Sequence, residues 1–225
     1  MIASKASISV SVVILGILTV AQLNGAIWDP AADYSVNNNP SGTWSYGRKW
    51  TPEGTGFDSF TVKWGSGGWY LGNWGHGGPS IQGTPVDLWA KDNSNGLPAL
   101  RWTCPQSGVY AFDIQFTGYD SRGVDVDVFT VINGTISFQD HIPANNFSVS
   151  FVQNQNLASG NVVDFVIKWT GGVYSEYSWT TVTGTIQTVP EPALTVILGL
   201  GAAIYLRRRK KGADPRPDGD RCVSP

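Results

Sequence analysis

The chain has 225 residues, with 15 Lys and Arg against 17 Asp and Glu and a formal net charge of −2. Between Ile27 and Val189 seven cations face thirteen carboxylates, so this stretch is negative and has no basic stripe to neutralise phosphates, which excludes nucleic acid as a partner. Two cysteines, Cys104 and Cys222, exclude a disulfide framework and a thiolate zinc site, and the two histidines, His76 and His141, share no local metal-ligand spacing.

Residues 1–26 read as a secretory signal peptide with a helical apolar segment. One cation, Lys5, precedes an apolar stretch from Ile8 to Val20, and the small residues Ala21, Gly25 and Ala26 follow. Cleavage after Ala21 and cleavage after Ala26 fit equally well, and an uncleaved anchor is the alternative. In each case the middle of the chain leaves the cytoplasm.

Residues 27–187 are long enough for one domain with a sizeable core. They read as all-β. Tyr110, Phe112, Ile114 and Phe116 alternate with polar or small residues, as do Val124, Val126 and Val128, then Phe147, Val149 and Phe151, then Val163, Phe165, Ile167 and Trp169. This is the period-two pattern of half-buried strands, and it turns Phe112, Ile114, Phe165 and Ile167 inward. Further strands are expected at Trp44–Trp50, Phe57–Trp64, Leu100–Thr103, Thr135–Gln139 and Tyr177–Ile186. Gly and Asn punctuate them, and Asn133-Gly134 is a hairpin cue because both residues tolerate positive φ. About nine short strands at this spacing predict a two-sheet, jelly-roll-like sandwich.

Within this region residues 64–78 place Trp64, Trp69 and Trp74 five positions apart among glycines. Exposed, these indoles would stack on the apolar faces of sugar rings while Asn73 and His76 hydrogen-bond to hydroxyls. Buried, they would fill the sandwich, where each needs one partner for its N–H. Asp120, Asp125 and Asp127 form the best oxygen cluster, a candidate structural calcium site, although two carboxylates on one strand face also suit a solvated edge. No other cofactor is indicated. There is no Gly-x-Ser-x-Gly elbow and no His-Glu-x-x-His. Carboxylates such as Glu53, Asp58, Asp113 and Glu176 would make a glycosidase only if two of them faced each other across a cleft, so the expectation is a protein that is not an enzyme.

Residues 188–211 change character. Pro190 and Pro192 bracket Glu191 and forbid regular structure there. An uncharged run, Ala193–Leu206, follows, and then the cluster Arg207-Arg208-Arg209-Lys210-Lys211. The run predicts a short transmembrane helix of about 21 Å, against a hydrocarbon core of about 30 Å, and the cations hold its end on the cytoplasmic side. Residues 212–225 are polar, rich in Pro and Asp, and expected to be disordered.

In residue types, spacing and position this segment resembles the PEP-CTERM sorting signal of Gram-negative-type bacteria. The resemblance implies an exosortase-type membrane protease as partner, cutting near Pro190-Glu191-Pro192, with the Arg207, Arg208 and Arg209 cluster as the stop. The body is similar to a set of secreted bacterial proteins that often carry such tails. Its opening Asn39-Pro40-Ser41-Gly42-Thr43-Trp44-Ser45-Tyr46-Gly47, the stretch Arg101-Trp102-Thr103-Cys104-Pro105, and Gly160-Asn161-Val162-Val163-Asp164-Phe165 carry that likeness. It implies a carbohydrate-binding-like jelly roll without specifying a ligand. Asn161 stands where the family has Asp, which weakens any metal there. The expectation is an exported protein, held first at the inner membrane and then at the cell surface or outside it. It would bind glycan or matrix, with a purely structural matrix protein and a glycosidase as alternatives.

Overall fold

The computed structural model describes residues 25–64, 67–70, 80–83, 86–90, 93–119, 124–143, 146–171 and 178–190. Met1–Pro190 is one compact unit, and the second, Glu191–Pro225, lies outside the described residues. Two antiparallel sheets pack face to face. In chain order the strands are β1 (Ile27–Trp28), β2 (Trp44–Lys49), β3 (Asp58–Ser59), β4 (Val62–Trp64), β5 (Gly68–Tyr70), β6 (Ser80–Gln82), β7 (Val86–Ala90), β8 (Leu97–Thr103), β9 (Gly108–Gly118), β10 (Val126–Ile132), β11 (Thr135–Ile142), β12 (Ser148–Leu157), β13 (Val162–Trp169) and β14 (Ser178–Thr188). The larger sheet runs β12-β9-β14-β7-β6-β5-β4, with β1 also on β14, and the smaller runs β11-β10-β13-β8-β2-β3. No described residue is helical, so the all-β sandwich is as expected; both expected terminal helices lie outside the described residues. Among the described residues no helix is long and apolar enough to cross a membrane.

Alternation decides which side chains enter the core. Phe112 and Ile114 of β9 and Phe165 and Ile167 of β13 are buried together with Trp44, Trp102, Tyr110 and Phe151. The rings meet edge-on more than face to face: Trp102 packs at 69° on Tyr110 and at 90° on Phe112, the geometry that ring quadrupoles favour. Among the described residues no disulfide supports this core, and Cys104 is free and buried.

Among the described residues fourteen strands stand where the sequence pattern marks about nine. The expected strand Phe57–Trp64 breaks after Ser59, because the chain there leaves the smaller sheet for the larger one. Phe60 buries its ring at the crossing and donates its N–H to the Tyr46 carbonyl. β5 and β6 have three residues each, too few to display a period, and in β7 the outward Trp89 is itself apolar and hides the alternation.

Two residues of the motifs marked out in the sequence, Asn39 and Asn161, hold the scaffold together. The Asn39 side chain donates to the carbonyls of Tyr46 and Phe60 and accepts the Tyr46 N–H. It thereby satisfies backbone that β3 is too short to pair. Asn161 closes the turn into β13: its side chain accepts the Ala158 N–H and its carbonyl accepts the Cys104 N–H. The Asn133-Gly134 hairpin forms as expected, with φ of 50° and 86°. Gly184 is required within β14 by its φ of 118° and by the Asp113 carbonyl, which a Cβ would strike.

Most connections divide by length. At one pole the strand ends are joined by residues 50–57, 71–79, 91–96, 119–125, 143–147 and 170–177. At the other the turns are short, 65–67, 83–85, 104–107, 133–134 and 158–161, but the long 29–43 connection from β1 to β2 also begins and ends there. Register fixes this division, since Gly118 pairs with Thr180, Thr117 with Ser148, Ala90 with Ser178 and Val126 with both Ile142 and Trp169. The body's two ends lie away from the pole of the 50–57, 71–79 and 170–177 connections. Ala26 accepts the Thr188 N–H, and Val189 donates to the Val109 carbonyl.

Candidate functional site: the pole of long connections

A rigid scaffold with long connections gathered at one end is the arrangement in which loops carry function. That pole also carries exposed aromatic side chains. Trp50, just after β2, is 60% exposed, and Tyr119 and Phe147 are exposed beyond β9 and before β12. Trp50 is held in place although it faces solvent. Its indole N–H donates to Asp58 Oδ2 at 3.1 Å, and the Arg48 guanidinium lies 4.1 Å from its ring centroid. Arg48 is fixed in turn by Asp58 Oδ2 at 3.3 Å and by the Asn95 carbonyl at 2.6 Å. A fixed, exposed indole is a stacking surface that loses little conformational freedom on binding. The sequence pattern shows Trp50 only as a strand residue; the cues to it are Arg48 two positions before it and Asp58 eight after.

The residues singled out from the sequence fall in different places. Trp64 is on β4, opposite Gly68 on β5, and its side chain lies outside the description. Trp69 is 5% exposed and belongs to the core; its N–H donates to the Ser35 carbonyl at 2.7 Å, and its ring stacks with Tyr46 at 14°. It therefore has the buried form of the two weighed above, with the single N–H partner that burial requires. Asn73, Trp74 and His76 lie outside the described residues, between Tyr70 and Ser80, which stand at the pole of long connections. Pro190 is the last described residue; Glu191, Pro192, Arg207, Arg208 and Arg209 lie beyond it.

The acidic cluster gathers around a residue that the sequence spacing does not join to it. Asp127 pairs with His141 across β10 and β11, with Nδ1 3.0 Å from its Oδ1, and His141 Nε2 lies 3.6 Å from Asp125 Oδ1. The Thr170 hydroxyl also donates to Asp125, and Asp120 is outside the described residues. Two carboxylates bridged by an imidazole do not fit calcium, which takes six to eight oxygens. Among the described residues no group of three or more His, Cys, Asp and Glu is placed to hold a metal ion.

Below Trp50 the β2–β3 connection folds back over the outer face of the smaller sheet. Lys49 Nζ donates to Asp164 Oδ2 at 2.9 Å and to the Gly54 carbonyl at 2.6 Å, with both Lys49 and Asp164 side chains 0% exposed. Arg101 grips the same carboxylate through Nε at 2.6 Å and Nη2 at 2.9 Å, reaches the Thr55 carbonyl, and lies 4.3 Å from the Phe57 ring centroid. Phe57 then packs on a small second core of Leu97, Ala99, Phe129, Val131 and Val166. All three charges are engaged with protein groups, so this triad positions the connection that carries Trp50. Of the carboxylates considered for catalysis, Asp58 is committed to Arg48 and Trp50, and Glu176 lies outside the described residues.

No family model matches the chain, and no curated protein matches it in sequence. Among solved structures it is similar to the secreted serine protease VesC from Vibrio cholerae, at 14% identity and TM-score 0.34, over 50% of this chain and 24% of that one. It is similar to the CBM36-1 domain of a multidomain xylanase from the hindgut metagenome of Trinervitermes trinervoides, at 13% identity and TM-score 0.31, over 50% of this chain and 81% of that one. It is also similar to a family 35 carbohydrate-binding module from Clostridium thermocellum, at 20% identity and TM-score 0.29, over 49% of this chain and 78% of that one.

Proposed function

We propose that the sandwich is a jelly-roll-like, non-enzymatic glycan-binding module of an exported protein, and that it binds through its pole of long connections. The observation that carries this reading is Trp50, an indole 60% exposed and held by Arg48 and Asp58. Trp74, Asn73 and His76 join it as candidates because their segment connects two strand ends at the same pole. The alternative of a purely structural matrix protein draws on the burial of Trp69.

Export and sorting rest on the sequence: the leader, Pro190-Glu191-Pro192 and the arginine cluster as an exosortase-type signal, and an inner-membrane precursor that passes to the cell surface. Between the two leader sites, the fold favours Ala21. Gly25 sits closely against Thr188, and Ala26 accepts the Thr188 N–H, so cleavage after Ala26 would remove residues already seated in the sandwich.

Affinity electrophoresis in gels containing hydroxyethylcellulose, galactomannan, dextran or alginate tests the binding. The protein should be retarded by at least one of them, and Trp50→Ala should remove the retardation. A mobility unchanged in all four would favour the structural-matrix reading.

A further inference from the structure

The outer face of the larger sheet presents two adjacent rows of different chemistry. Tyr70 pairs with Ser80, Ser80 with Trp89, and Trp89 with Trp179. Their neighbours Trp69, Ile81, Leu88, Ala90 and Thr180 point inward, so alternation turns this row outward. It crosses four strands and spans roughly 14 Å. Trp179 lies on Trp89 with ring centroids 5.3 Å apart and planes 10° from parallel. Trp89 is 9% exposed and Trp179 is half-buried, which makes Trp179 the presented ring of the stack. The Ser80 hydroxyl, between Tyr70 and Trp89, is buried and makes no hydrogen bond among the described residues.

The second row lies two residues along each strand, about 7 Å away. Gln82 pairs with Asp87, Asp87 with Thr181, Thr181 with Thr117 and Thr117 with Ser148. The Thr181 hydroxyl donates to Asp87 at 2.6 Å, and the Thr117 and Ser148 hydroxyls are 2.8 Å apart. The row is a continuous line of amide, carboxylate and hydroxyl groups. Further down the face follow Thr183, Gln115 and Ser150, then Thr185, Asp113 and Val152. No outward position of these strands is Lys or Arg.

Resting on the glycan-binding reading, we infer that this face is a binding strip distinct from Trp50, in which Trp179 stacks on a sugar ring while Asp87 and Thr181 hydrogen-bond its hydroxyls, and that its ligand is a neutral polysaccharide. Aromatic surface beside a line of hydroxyl-reading groups matches the two sides of a pyranose, one apolar and one polar. A uronate or sulfated chain would meet Asp87 and Asp113, and among the described residues of this face there is no cation to offset the repulsion.

The test uses the full-length chain in mild detergent, in gels of hydroxyethylcellulose, galactomannan, dextran and alginate. Trp179→Ala should weaken retention on the retained neutral polymer roughly tenfold or more, as for a buried aromatic anchor. Thr181→Val, which keeps the volume and removes the hydroxyl, should weaken it several-fold in protein that still unfolds cooperatively, with a modestly lower melting temperature because Asp87 loses its donor, and alginate should not be retained. Wild-type retention by both variants, with loss in Trp50→Ala, would overturn the strip and leave the glycan reading standing. Stronger retention by alginate than by any neutral polymer would overturn the ligand class. Failure of the unaltered protein to be retained by any of the four would overturn both.

Discussion

At the scale of single residues, what matters is whether an aromatic ring is presented or packed, and the sequence shows this poorly. Trp50, Trp69 and Trp179 are the same side chain, yet one is exposed, one lies in the core and one caps a stack on the outer face. Regular spacing marks out Trp64, Trp69 and Trp74. Of the groups that fix Trp50, Arg48 is two positions away, but Asp58 is on β3 and Asn95, which holds Arg48, is on another connection, and such pairings are set by register, which local spacing does not show. Trp50→Ala is expected to lose glycan retention while costing no more than about 1 kcal/mol, the worth of an exposed cation–π contact; thermal unfolding of the variant measures the second part. Asp87 supplies a pH test. Burial raises its carboxyl above the ordinary range, and the hydrogen bond from Thr181 lowers it in part. A raised acid holds its proton more tightly folded than unfolded. Its contribution to stability is therefore full below its unfolded pKa of about 3.9 and is lost as pH rises through the folded value. Asp87→Asn should accordingly melt higher than wild type at pH 7 and close to it at pH 3. Calorimetry showing no greater difference at pH 7 than at pH 3 would refute this reading of Asp87.

At the scale of elements, the strands with clean alternation were legible, and those shaped by tertiary context were not. β9 and β12 show their inward faces in the sequence because one face meets the core and the other meets solvent. In β13 the outward Asp164 looks like an ordinary solvated residue, and Lys49 looks like the charged end of an edge strand. The β2–β3 connection covers both, and together with Arg101 they form a buried triad. Removing one member leaves uncompensated charge in a dry site. Asp164→Ala should therefore cost about 3–5 kcal/mol, read by chemical denaturation, and should loosen the connection that holds Trp50. Phe165, fully buried between Trp44 and Phe116, tests the main core separately: Phe165→Ala should also cost about 3–5 kcal/mol. A midpoint unchanged by either substitution would mean that the register of β13 is wrong.

At the scale of the whole molecule, the sandwich has a pole of long connections with exposed aromatic rings, and the body's two ends lie away from it. Fold class was readable from alternation and turn residues; the poles were not, because they follow from which strands pair. If the terminal segments are processed as proposed, intact mass of the protein released from its native host should correspond to a start near Gln22 and an end near Val189. A full-length mass in the cytosol would contradict export. The central claim is that this pole and the adjoining sheet face bind a glycan. Its most direct measurement follows the indole N–H signals of the ten tryptophans by NMR during titration with oligosaccharides cut from a retained neutral polymer. The Trp50 and Trp179 signals should move with saturation, while those of the buried Trp69 and Trp102 stay in place. Movement of neither Trp50 nor Trp179 at saturating ligand would contradict the claim.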